Sequence, residues 1–113
     1  MEQGLGERLF NFALSAIKFL GTLPKLPEAQ IIRYQQAKAS TSSGANYEEA
    51  QAASSKADFA HKMKIALREI RESNYWLRIC VCSDFGEKTM NKNLIEESSE
   101  LKNILGSICS KFK

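Results

Sequence analysis

Apolar side chains recur at spacings of three and four residues along most of the chain. Leu5, Leu9, Phe12, Ala16, Phe19 and Leu23 form one such stripe. That period predicts an amphipathic helix from about Glu2 to Gly21. The turn T-L-P-K-L-P ends it, because Pro24 and Pro27 disfavour helical geometry in the residues before them. Pro27 also suits the first turn of a second helix, where its missing N–H costs nothing. Glu28 follows, where the positive end of the helix dipole favours an anion.

The second segment opens on Ile31, Ile32 and Tyr34 and then changes character in A-K-A-S-T-S-S-G-A-N, residues 37–46. Ser and Thr are weak helix formers, and Gly44 costs about 1 kcal/mol relative to Ala. One reading is a loop from near Ser40. The other is a single long helix, kinked near Gly44, whose small side chains let another backbone approach. E-E-A-Q-A-A at 48–53 restores helix propensity and favours the long helix.

The third stripe is Phe59, Met63, Ala66, Ile70, Leu77 and Val81. Ser55 and Asp58 have the spacing of a capping box, with Asp in place of Glu or Gln. The segment runs to about Ser83, and some 28 helical residues make a rod roughly 42 Å long. S-D-F-G-E-K-T-M-N reads as a loop, with Asn91 or Asn93 capping a last helix. Leu94, Leu101, Leu105, Ile108 and Phe112 form the fourth stripe. Four amphipathic helices with mostly short connections predict an all-α, antiparallel up-and-down four-helix bundle. The length of 113 residues predicts one domain over 1–113. The β-branched apolar runs of a parallel sheet are missing.

The third segment carries more than one face. Ile65, Trp76 and Ile79 fall nearly opposite its main stripe. Burial against another subunit is one use for them, since aromatic side chains are enriched at interfaces. A wide core face, with Trp76 lying over a neighbouring helix, is the other. Between the two apolar faces lie Lys64, Arg68, Arg71, Tyr75 and Arg78, a cationic strip with one aromatic ring. Such a strip suits phosphates and stacked bases, or is a solvated face. Lys64 and Arg68 are like charges four residues apart, so the strip is not arranged for self-pairing. Arg68 with Glu72, and Arg71 with Tyr75, are the neighbours within reach.

Charge sharpens that picture. The chain has 16 basic and 13 acidic residues, a formal net charge of +3. Residues 51–83 hold six basic and three acidic side chains, whereas 1–50 and 84–113 each balance at five and five. The excess therefore belongs to the segment with the strip. Overall it is too small to identify a nucleic-acid partner alone.

Other chemistry is thinly represented. The acidic start M-E-Q-G-L-G-E is unlike a secretory signal, and no apolar run is long enough for a membrane span. An odd set of three cysteines, Cys80, Cys82 and Cys109, fits a reducing, cytoplasmic setting. On a helix Cys80 and Cys82 point far apart, a poor arrangement for one metal. His61 has no evident nucleophile beside it. Asp58-x-x-His61 is half of a di-iron signature at most, and the clusters Glu48, Glu49 and Glu96, Glu97, Glu100 lack the histidine partners such a bundle uses. A glycine-rich phosphate loop and H-E-x-x-H are missing. The expectation is a non-enzymatic protein with no cofactor, metal or small-molecule substrate.

The stretch S-G-A-N-Y-E-E-A-Q-A-A-S-S-K-A-D-F-A-H-K-M-K-I-A-L-R-E-I-R-E-S-N-Y-W-L resembles the bacterial 23S rRNA-intervening-sequence proteins, also labelled S23 ribosomal proteins. The resemblance is clearest over residues 29–108. It rests most on Gly44-Ala45-Asn46, Glu49-Ala50, Ser55-Lys56-Ala57-Asp58-Phe59, Lys62, Ala66-Leu67, Glu69 and Tyr75-Trp76-Leu77. It implies a four-helix bundle and, since related proteins are homopentamers, a homo-oligomer of five chains. A related group, the accessory proteins of diversity-generating retroelements, forms a positively charged barrel that binds nucleic acid. The functional expectation is therefore an oligomeric scaffold with RNA or DNA on the basic strip. The competing expectation is a structural or protein-interaction oligomer with no nucleic-acid role.

Overall fold

The computed structural model describes residues 4–112 as four helices: α1 Leu5–Leu20, α2 Pro27–Gln51, α3 Lys56–Cys82 and α4 Lys88–Cys109. The expected start of the first helix at Glu2 lies outside the described residues. Each helix packs against the next, and α1 closes the bundle against α4, while the diagonal pairs stay apart. This is the all-α up-and-down arrangement that the short connections predict. The bundle measures 44 × 32 × 20 Å.

The core follows the stripes closely. Leu9, Phe12, Ala16 and Phe19 of α1 are buried, together with Leu23 in the turn. Leu94, Leu101 and Leu105 supply the inner face of α4, and Ile108 and Phe112 pack half-buried against it. Phe112 meets Phe59 of α3 edge-on, with ring centroids 5.7 Å apart.

α2 runs unbroken through residues 40–46. Tertiary approach, not propensity, explains this. Ala39, Ser40 and Ser43 are completely buried. A Cβ added to Gly44 would lie only 3.3 Å from the Leu9 Cβ of α1. The hydroxyls of Ser40, Thr41 and Ser43 donate to carbonyls one turn back on α2, which satisfies them without a loop.

α3 starts as the capping signal predicts, with the Asp58 N–H donating to Ser55 Oγ at 3.0 Å. The Asp58 carboxylate in turn accepts from the Ser54 N–H at 3.4 Å. Two expectations require correction. Val81 is half exposed: Cys80 is the last buried residue of α3, and Phe85 of the following turn packs half-buried against the core. α3 closes with the Phe85 N–H donating to Cys80 O and the Asp84 N–H donating to Val81 O. These bonds make a Schellman stop with Asp84 in the left-handed region at φ 58°. The cap of α4 is Glu87, not Asn91 or Asn93. Its carboxylate accepts from the N–H groups of Thr89 and Met90 at 2.7 and 3.2 Å. Gly86, at φ +88°, turns the chain early enough for α4 to begin at Lys88. Asn91 therefore lies inside the helix, buried, with its side-chain amide donating to Leu77 O at 3.2 Å.

Candidate functional site

α3 packs against both α2 and α4, yet one side of it faces outward along most of its length. The buried residues Met63, Ala66, Leu67, Ile70, Ser73, Asn74 and Leu77 turn it towards α2 and α4. Helical geometry then leaves Lys64, Arg68, Arg71, Tyr75 and Arg78 together on the exposed side.

The cations of this strip differ in how they are held. Arg68 lies 3.5 Å from Glu69 rather than pairing with Glu72. Glu72 instead accepts the Trp76 indole N–H at 3.2 Å. Lys64 and Arg71 have no ion pair among the described residues. Both lie close enough to Cys109 for their positive charges to oppose the rise that burial gives its thiol. Arg78 Nε donates to Asn74 Oδ1 at 3.0 Å. Its guanidinium carbon sits 5.7 Å from the centre of the Tyr75 ring, so Arg78 and not Arg71 is the cation beside that ring. Tyr75 meets Trp76 edge-on at 5.3 Å.

Asn74 is 5% exposed and ties this cluster to the interior. Its amide nitrogen donates to Ser98 Oγ at 2.9 Å and to Ser99 Oγ at 3.2 Å, both on α4. No short sequence motif marks this network. The one signal was the polar run S-N among the mostly apolar buried positions of α3.

Ile65, Trp76 and Ile79 are half-buried, and Trp76 and Ile79 pack against the core of their own chain. A larger unpartnered apolar surface, not anticipated from the sequence, lies on α1. Phe10, Leu14 and Ile17 are 57%, 49% and 47% exposed. They recur one helical turn apart, so the signal was present as a second stripe beside Leu9, Phe12 and Ala16. Next to them, over Gly44 and Ala45 of α2, lies a hollow of about 330 Å³. Ile31 and Tyr34 add exposed apolar surface on α2.

The remaining reactive groups are scattered. Cys80 and Cys109 are buried, Cys82 is exposed, and all three are free thiols. Burial pushes the Cys80 thiol up to about 11. His61 is exposed. Glu97 and Glu100 bind Arg8 at 2.8 and 3.0 Å, which raises the Arg8 pKa and accounts for that carboxylate cluster. Among the described residues no three His, Cys, Asp or Glu side chains come together as a metal site. No described helix is long and apolar enough to cross a membrane.

The family model for 23S rRNA-intervening sequence proteins matches residues 6–107. The fold is similar to the crystal structure of a protein of unknown function from the S23 ribosomal protein family of Bacteroides thetaiotaomicron. The TM-score is 0.85 at 28% identity, covering 94% of this chain and 98% of that one. The comparison with curated proteins gives no match.

Proposed function

The chain belongs to the 23S rRNA-intervening sequence protein family, and from that membership we propose a non-enzymatic, self-associating scaffold that offers the outer side of α3 to RNA or DNA. The observation that carries this reading is the state of the α3 cations. Lys64 and Arg71 have no carboxylate partner among the described residues, and Arg78 is held by a neutral amide. Arg8 shows the opposite arrangement, clamped by two glutamates. Cations left without counter-charges on one helix side are available to phosphates.

Self-association rests on α1 and α2. The ridge of Phe10, Leu14 and Ile17 and the hollow over Gly44 lie on one continuous face. That face is apolar and unpartnered within the chain, so it is the surface that a neighbouring copy would bury. The ring of five implied by the family resemblance repeats the α3 strip around the assembly, which multiplies a field that one chain carries weakly. Free thiols fit a reducing cytoplasm.

The test is fluorescence anisotropy with a labelled, structured RNA across a salt series. Binding is expected at low salt and falls as salt rises. In the Lys64→Gln/Arg71→Gln variant the log–log salt slope drops by roughly 0.7–0.9 for each phosphate that is no longer neutralised. Absence of binding at low salt rejects the nucleic-acid role. That outcome leaves the second reading, a protein-interaction oligomer, which the exposed α1 ridge favours.

A further inference from the structure

We propose that Arg78 and Tyr75 form a single-strand-specific contact point, with Asn74 as its positioning residue. The proposal rests on the nucleic-acid reading of α3 and narrows it to unpaired strands.

Arg78 is the strip cation held by a neutral, buried amide, whereas Arg68 is held by the Glu69 carboxylate. The Asn74 amide nitrogen is committed to Ser98 and Ser99 on α4. Its oxygen is thereby left towards α3's own outer side, where it accepts from Arg78 Nε. The α3–α4 seam thus fixes the inner edge of the guanidinium. Its two Nη groups make no hydrogen bond among the described residues, on an exposed side chain. A guanidinium held by Nε presents its terminal pair as a fork, and a fork matches two oxygens of one phosphate.

Tyr75 completes the point. Tyr75 is 50% exposed, and its ring lies within cation–π reach of Arg78 at 5.7 Å. Trp76 meets it at an interplanar angle of 77°, and Trp76 is held in turn by Glu72. An aromatic ring is thus fixed beside a phosphate fork. Unpaired nucleotides supply both partners, a backbone phosphate and a free base face. In a duplex the base faces are already stacked on one another, so only the phosphate is offered.

The experiment compares a labelled oligouridine strand with an RNA duplex of the same length, by anisotropy at low salt. The strand is expected to bind more tightly. Tyr75→Ala weakens strand binding about ten-fold and leaves duplex binding unchanged. Arg78→Lys keeps the charge and loses the fork, and it weakens strand binding at an unchanged salt slope. Both side chains are exposed, so these variants keep the fold. The positioning role of Asn74 is read from a cycle: Asn74→Ala weakens strand binding in the native background and has no further effect when Arg78→Lys is present. A purely structural loss persists in both backgrounds. Equal affinity for strand and duplex, or an unaffected Tyr75→Ala variant, overturns this inference and leaves the broader nucleic-acid role standing. Failure of both RNAs to bind at low salt overturns the two together.

Discussion

Gly86 shows how much a single residue decides. Its φ of +88° lies where L side chains rarely sit, and a Cβ there would fall 2.6 Å from two ring atoms of Phe19. Thr22 reinforces the contact, its hydroxyl accepting from the Glu87 N–H at 2.9 Å. The α3–α4 turn is thereby seated on the end of α1. Gly86→Ala combines backbone strain with overpacking, and a loss of about 1–3 kcal/mol is expected. A thermal melt checks it, and an unchanged midpoint would mean the turn yields without cost. That S-D-F-G-E makes a turn was legible from composition. That its glycine is wedged against Phe19, far away in the chain, was not, since it depends on where α1 ends in space. The same holds for Asn91, which reads as a cap in sequence and is a core residue in the bundle.

At the scale of elements, the α2–α3 seam is the informative one. α2 has the weakest apolar pattern of the four helices, and its inner face is built from Ala39, Ser40, Ser43 and Gln36, all with 0% exposure. Small side chains bring the helices close, and Gln36 Nε2 donates to Ser73 Oγ at 2.8 Å across the seam. Gln36 Oε1 is buried without a partner. Ser73→Ala leaves both ends of that amide unpaired, at a cost of about 1–3 kcal/mol. In the Gln36→Leu background the same change costs far less, because no buried donor remains to be orphaned. Urea unfolding of the four proteins in this cycle measures the coupling, and equal costs in both backgrounds would show that the bond contributes nothing. The long-helix reading of α2 was legible from the recovery of propensity after Gly44. Its polar seam was not, because the partner of Gln36 lies on another helix.

For the whole molecule, the open question posed by the sequence was which face is left over once four stripes are buried. The structure places Trp76 half-buried over its own core and leaves Phe10, Leu14 and Ile17 exposed. Full burial of each large apolar side chain contributes roughly 1.5–3 kcal/mol, which is why the proposed self-association is placed on these three. Light scattering on a sizing column should therefore show Phe10→Ser/Leu14→Ser at the mass of one chain. Trp76→Ala should keep the mass of the parent assembly while melting earlier. Dissociation by Trp76→Ala with an unaffected α1 double variant would move the interface to α3.

The sequence by itself determined the number of helices, their order, three of their buried stripes almost residue by residue, and the position of the cationic strip. Those properties follow from local periodicity, which each segment carries alone. Only the tertiary structure decided which second stripe remains uncovered, which arginine is pinned by a buried amide, and which polar side chains satisfy one another. These depend on the approach of segments distant in the chain. A hydrogen bond or a hollow exists only once two such surfaces have met.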